Sequence, residues 1–220
     1  NYLDINRSSW NAKVEPHLKS DFYFVEDFIK GRTSLNSIEQ ELLGDISGKS
    51  VLHLQCHFGQ DSISLSRLGA KVTGIDLSDK SIETARDLAV KCNSDAEFLI
   101  SDVYSLPNNL HQKFDIVYTS YGVIGWLPDL YEWAKVISHF LKPGGKFVFV
   151  EFHPFVWMYD DDFTHIHYNY FNKEAIVETY EGTYADKSAN IVQQYVMWNH
   201  PTSEVLNSLI QNGLEVNSFN

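Results

Sequence analysis

Between residues 50 and 152 the apolar pattern switches repeatedly between the short runs of strands and the spaced positions of helices. That alternation restricts the fold more than any other feature of the chain. Val51-Leu52-His53-Leu54 is a short apolar run that stops at a turn over 55–59. A helical pattern follows, with Ile63, Leu65 and Leu68 apolar and Gly69 as its stop. Residues 71–76 read as the next strand, and Ser78 suits the N-cap of a helix running to about Lys91. Residues 96–101 and 114–120 read as the third and fourth strands. A helix is predicted over 129–141, with Leu130, Trp133, Ile137 and Leu141 on its apolar face. Pro143-Gly144-Gly145 ends it, and 146–152 is the fifth strand. Strands alternating with helices predict an α/β fold: a doubly wound, mostly parallel sheet with helices on both faces.

The flanks break this alternation. Residues 1–46 carry no strand run and read as an N-terminal helical lid, crowded with Trp10, His17, Phe22, Tyr23, Phe24 and Phe28. The α/β core then spans 47–152. Residues 153–200 hold eleven of the 31 aromatics and four of the nine histidines, and are expected to form an antiparallel β cap over a substrate site. Its strands are expected at 166–171, 175–180 and 190–198, with a turn at Glu181-Gly182-Thr183 and a solvated loop at Asp160-Asp161-Asp162. Residues 201–220 return to the core as a helix over 202–212 and the start of a strand over 214–219. A sheet ending on that strand would keep an unpaired edge, an aggregation liability, so the native chain is expected to extend beyond Asn220.

Length and charge exclude several classes. A chain of 220 residues fits one large domain or a domain with an inserted cap. A net charge of −12 opposes binding to a nucleic-acid backbone, which requires a basic face. No apolar run approaches the roughly 18 residues of a membrane span. Two cysteines, Cys56 and Cys92, are too few for a disulfide framework and read as reduced thiols of a cytoplasmic protein. The expected assembly is a monomer or homodimer.

In a doubly wound sheet, ligands bind at the carboxyl ends of the strands, where strand order reverses. Gly59 lets the backbone approach a ligand closely, and the helix after it offers free N–H groups. Asp76 ends the second strand, 17 residues after Gly59, where a carboxylate can accept both hydroxyls of a ribose. Asp102 ends the third strand, where it could accept from an adenine amino group.

Taken in order, these stretches resemble the core of the class I S-adenosylmethionine-dependent methyltransferases. Val51-Leu52-His53-Leu54-Gln55-Cys56-His57-Phe58-Gly59 is similar to their first motif, and Gly74-Ile75-Asp76-Leu77-Ser78 to the second, whose acid binds the ribose. Ser101-Asp102-Val103 resembles the adenine-contact motif, Phe114-Asp115-Ile116-Val117 the fourth strand, and 141–145 the turn before the fifth. The resemblance covers roughly half the chain. It implies a Rossmann-like methyltransferase fold, S-adenosylmethionine as cofactor, and cofactor contacts from Gln55, His57, Gly59, Asp76, Leu77, Asp102, Val103 and Ser120. The family has an acid at the position of His53 and glycine at those of Gln55 and His57. Glutamine and histidine are strained at positive φ, so the loop is expected to keep its path with ordinary φ values there. Alternatively, Gln55 and His57 offer side chains to the methionine end of the cofactor, or the loop has degenerated and binds none.

Methyl transfer is an in-line displacement in which the leaving thioether requires no acid, so positioning can supply most of the rate. A general base could add to it. His153 is the first candidate by its pKa class, ahead of Glu151 and Tyr121. Tyr121, Trp126, His153 and Trp157 are the expected walls of the substrate pocket. His153, His165, His167 and His200 have no Cys or carboxylate partner at zinc-like spacing, so no metal is expected. The leading function is methyl transfer to an O or N atom of a small molecule. A noncatalytic S-adenosylmethionine-binding module is one alternative. A NAD-dependent oxidoreductase is the other, although residues 57–62 carry one of the three glycines of G-x-G-x-x-G.

Overall fold

The computed structural model describes residues 1–160 and 162–219. Five strands, β1 (Ser50–Leu54), β2 (Lys71–Asp76), β3 (Glu97–Ile100), β4 (Phe114–Ser120) and β5 (Leu141–Val150), form one sheet in the order β3-β2-β1-β4-β5. Every pairing is parallel. The order reverses between β1 and β4, which opens a crevice at their carboxyl ends.

The sheet is buried on both faces by side chains that alternate along each strand. Leu52 and Leu54 of β1 pack with Trp133, Ile137 and Phe140 of α7 (Leu130–Phe140). Val51 points the other way, into a cluster with Ile46, Leu65 and Val72. That second face is covered by α3 (Ser37–Leu43), α4 (Gln60–Arg67) and α5 (Asp79–Lys91). The Ser78 side chain accepts the Ser81 N–H, so α5 starts where its N-cap predicts. The short α6 (Leu106–Asn109) and α8 (Thr202–Gln211) complete the first face.

Three expectations are corrected. The glycine stop at 143–145 lies inside β5 as an irregularity: Leu141 pairs with Phe114, and pairing resumes at Lys146 with Ile116. Residues 166–171 form no strand and contribute one isolated bridge, Tyr159 to Ile166. Their donors are satisfied locally instead. Met158 O accepts from His167 and Tyr168 N–H and Asn169 Oδ1 accepts Phe171 N–H at 2.9 Å, while just before the segment the Asp160 carboxylate accepts Thr164 and His165 N–H at 2.7 and 3.1 Å. Residues 214–219 also form no strand; Leu214 N–H bonds back to Leu209 O and finishes α8. Asp161 and Asn220 lie outside the described residues.

The N-terminal segment folds as α1 (Tyr2–Lys19), α2 (Val25–Ile29) and α3. The cap region contributes an antiparallel pair, β6 (Ile176–Glu181) and β7 (Val192–Met197). Asn6 joins the two. Its amide donates to Val196 O at 2.9 Å and accepts Val196 N–H at 2.8 Å, taking the place of a neighbouring strand on β7. Ser9 adds a bond to Gln193 at 2.8 Å. Asn6 is only 2% exposed, so Asn6→Ala strands a buried N–H and a buried carbonyl. We expect a loss of about 2 kcal/mol, read as a lower urea midpoint at unchanged slope.

Candidate functional site

The loop after β1 is left-handed at three alternate residues: Gln55 at φ 55°, His57 at φ 50° and Gly59 at φ 80°. Ordinary φ values were expected at Gln55 and His57, and the structure overturns this. The backbone path that favours glycine is retained with two larger residues, at about 1 kcal/mol each. Side-chain bonds offset that cost. Gln55 Nε2 donates to Val123 O at 2.9 Å. His57 places one ring nitrogen 2.9 Å from His17 Nδ1 and the other 3.1 Å from Ser81 Oγ. Both His57 nitrogens are therefore engaged within the protein. Gln55 Oε1, by contrast, is a buried acceptor with no partner among the described residues. At Gly59 a Cβ would sit 2.6 Å from the Phe98 ring, so this position excludes a side chain on two grounds.

Asp76 ends β2 with its carboxylate turned back on this loop. One oxygen accepts His57 N–H and the other Ser78 N–H, each at 2.8 Å. Burial to 9% exposure raises its pKa to about 6, against the opposing pull of these backbone donors. Each oxygen keeps lone-pair capacity beyond its one bond, and Asp76 lines the cavity. Leu77 and Val103 line it beside Asp76. Asp102 also lines it, while one carboxylate oxygen accepts Tyr104 and Ser105 N–H at 3.0 Å and the other bonds the Ser105 hydroxyl.

Ser120, at the end of β4, donates to Asp61 Oδ2 at 3.0 Å. Asp61 was not singled out in the sequence, yet it gathers two further hydroxyls, from Ser34 at 2.6 Å and Tyr118 at 3.3 Å. The available signal was its place two residues after Gly59, in the first turn of a helix. His53 stands where an acid is usual. Its ring bonds Ser62 at 2.8 Å, and burial lowers its pKa to about 4, so it is neutral at pH 7.

The three candidate bases separate. Tyr121 lines the cavity; burial raises its phenol to about 12. Glu151 accepts N–H bonds from Gly122, Val123, Ile124 and Phe152 and so holds the turn after β4. His153 is exposed, outside the cavity lining, and accepts Phe155 N–H at 3.1 Å. Trp126 and Trp157 both line the cavity. Trp126 packs against Trp10 at 5.1 Å and Tyr195 at 5.8 Å. Among the described residues, no three His, Cys, Asp or Glu side chains are grouped to hold a metal ion. No described helix is long and apolar enough to cross a membrane.

Sequence reasoning also missed Lys13, which lies among the rings of the wall. The spacing Trp10-x-x-Lys13 on one helix was the available signal, because residues three apart share a face. The whole cavity measures about 1370 Å³. That exceeds the roughly 300–1,000 Å³ of single-ligand pockets and leaves room for two reactants.

A parallel sheet with a ligand crevice at its switch point defines a Rossmann-like α/β protein. Residues 51–145 match the family model of a methyltransferase domain. A ubiquinone biosynthesis O-methyltransferase of Coxiella burnetii (strain Dugway 5J108-111) is 33% identical over 115 residues, 52% of this chain and 47% of the relative. The chain thus spans about half the length of the curated relatives it matches. Among solved structures, the DhpI–SAH complex aligns with a TM-score of 0.61 at 18% identity, covering 96% of this chain and 87% of that one. An S-adenosylmethionine-dependent methyltransferase from Clostridium acetobutylicum ATCC 824 aligns with a TM-score of 0.62 at 16% identity and the same coverage, 96% and 87%. The chain shares the Rossmann-like fold of these structures, the second of them an S-adenosylmethionine-dependent methyltransferase, and its stretch 51–145 is similar to a methyltransferase domain.

The residues present fit that cofactor. Asp76 retains acceptor capacity for a diol, Gln55 Oε1 is an acceptor without a partner among the described residues, and Leu77 and Val103 offer apolar surface beside the crevice. Gly59→Ala should cost about 3 kcal/mol, combining a strained φ with a clash on Phe98. Gly213→Ala, at φ 82° with nothing near the added Cβ, should cost about 1 kcal/mol. Urea melts of both variants check the difference.

Proposed function

We propose that the protein transfers a methyl group from S-adenosylmethionine to an oxygen or nitrogen atom of a small molecule held in the same cavity. One observation carries the reading: the Gly59 turn, Asp76 and Asp102–Val103 converge at the ends of β1, β2 and β3 on a cavity that the rings of Trp10, Trp126, Tyr180 and Tyr195 also line. The strand-end half suits the donor. The aromatic half, from α1, the turn at Trp126 and the β6–β7 pair, suits an acceptor with an apolar or planar part. The O-methyltransferase name of the Coxiella relative supports an oxygen acceptor. The net charge of −12 supports a small molecule over a nucleic acid.

When bound, S-adenosylmethionine supplies an electrophilic methyl carbon on a sulfonium whose leaving thioether is neutral. The protein's part is to bind and align. Asp76 accepts the ribose hydroxyls, Asp102 accepts from the adenine amino group, Leu77 and Val103 cover the base, and Gln55 Oε1 accepts from the ammonium. Gly59 and the first turn of α4 allow close approach of the backbone, and Ser120 with Asp61 forms the floor beside β4. Tyr121 stays protonated at neutral pH and acts as a hydrogen-bonding wall, with Trp126 and Trp157 enclosing the acceptor. Glu151 acts through the turn it holds and positions Trp126. His153 is the candidate with least support, because it lies off the cavity wall.

Calorimetric titration with S-adenosylhomocysteine and with NAD tests the reading. Micromolar binding of the first and none of the second is expected; the reverse would replace the methyltransferase by an oxidoreductase. The ribose contact also has a pH signature. The folded pKa of Asp76, about 6, lies above its unfolded value of 3.8. Its ionisation therefore destabilises the free protein as pH rises through that window. Hydroxyl donors favour the ionised form, so affinity should fall by up to about tenfold per pH unit below pH 6 and level off above. Asp76→Asn should weaken binding about 10–100-fold at pH 7.5 and flatten the profile between pH 5 and about 7.

A further inference from the structure

Lys13 is the one cation of the cavity wall that is both deep and without an acid, among the described residues. Three cationic side chains line the cavity: Lys13, Arg32 and Lys187. Arg32 is exposed and lies on the Phe24 ring at 3.9 Å. Lys187 is exposed and pairs with Asp162 at 3.7 Å. Lys13 is 5% exposed. Its Nζ sits 4.4 Å from the centroid of Trp10, 4.8 Å from that of Trp126 and 5.7 Å from that of Tyr195. Ring faces attract an ammonium but offer it no acceptor atom.

The acids of the wall are already engaged elsewhere. Asp61 holds three hydroxyls, Asp76 two backbone N–H groups, and Asp102 the start of its own turn. Glu178 on β6 accepts from Tyr195 at 2.6 Å and from Tyr168. The other titratable groups facing Lys13 are His17 on α1 and His57 after β1. Both are held neutral by burial, and their proximity to Lys13 lowers them further. A buried ammonium with no counter-charge is costly, which is why burial lowers the Lys13 pKa to about 7. A site of this kind is completed by an anion brought in from outside.

We propose that Lys13 is an anion receptor in the cavity wall, and that a bound ligand places a carboxylate on its Nζ. The proposal deepens the methyltransferase reading and rests on it for the choice of ligands. The carboxylate has two available sources: the amino-acid end of the methyl donor, or an acidic acceptor. In either case the carboxylate draws a proton onto the amine from solvent, and the rings keep water from competing for the pair.

Lys13→Met keeps the stem and removes the charge, so it suits an aromatic pocket. Calorimetry at pH 7.5, in two buffers of different ionisation heat, would compare it with the wild type. The probes are S-adenosylhomocysteine, 5′-methylthioadenosine (which lacks the amino-acid end), and 4-hydroxybenzoate against 4-hydroxybenzamide in protein saturated with S-adenosylhomocysteine. A free pKa of about 7 predicts uptake of about 0.8 of a proton at pH 7.5 when a carboxylate arrives. Uptake with S-adenosylhomocysteine and not 5′-methylthioadenosine, lost with at least tenfold of affinity in Lys13→Met, assigns the carboxylate to the donor. Uptake with 4-hydroxybenzoate and not its amide, again lost in the variant, assigns it to the acceptor. If neither carboxylate shows uptake or affinity that depends on Lys13, the proposal is overturned. If neither adenosine ligand binds the wild type, the methyltransferase reading fails instead, and 4-hydroxybenzoate titrated alone still decides the role of Lys13.

Discussion

The Asp76 carboxylate is the contact on which the geometry of the crevice depends. Its two oxygens take the N–H of His57 from the loop after β1 and the N–H of Ser78 at the start of α5. The ends of two neighbouring strands are thereby tied together beyond the last rung of their ladder. Cys56 N–H adds one more bond, to Ile75 O at 2.8 Å. Held in this way, the loop can sustain left-handed backbone at Gln55, His57 and Gly59. Strained backbone of this kind persists where its surroundings over-determine it, and such places cluster at ligand sites. The same burial that makes the tie strong removes water from the carboxylate and raises its pKa.

Helix α1 carries the site's second set of constraints. Asn11 accepts from Ser78 at 2.6 Å and donates to Asp79 at 2.8 Å, which fastens α1 to the start of α5. One and a half turns earlier, Asn6 fastens it to β7. The same helix places Trp10 and Lys13 on the cavity wall. One helix therefore bridges the strand-end half and the aromatic half. Displacing it breaks polar bonds on both sides, and a buried donor or acceptor left unmatched is the expensive outcome.

Much of the core was legible because its signals are local. The β4 strand runs over 114–120 as its apolar run predicts, and Ser78 and Gly59 act at the positions their residue types favour. Residues 166–171 also carry a strand-like composition. Their N–H groups instead found nearer acceptors in Met158 and Asn169, and composition cannot show that competition. The φ values at Gln55 and His57 illustrate the same limit. Residue preference argued for ordinary backbone, but bonds to Val123, His17 and Ser81, far along the chain, outweighed it. Glu151 looked like a free strand-end acid and is in fact the acceptor for a turn.

By itself, the sequence determined the order of strands and helices in the core and the place of the acid at position 76, at the end of a strand. These follow from periodicity and spacing, which are properties of neighbouring residues. Only the tertiary structure decided which side chains remain available for chemistry. It consumed both nitrogens of His57 and both oxygens of Glu151, turned His153 outward, and left Lys13 buried among three rings with no acid on it among the described residues. A polar atom's availability is settled by what else comes within about 3 Å of it, and those partners lie scores of residues away in the chain.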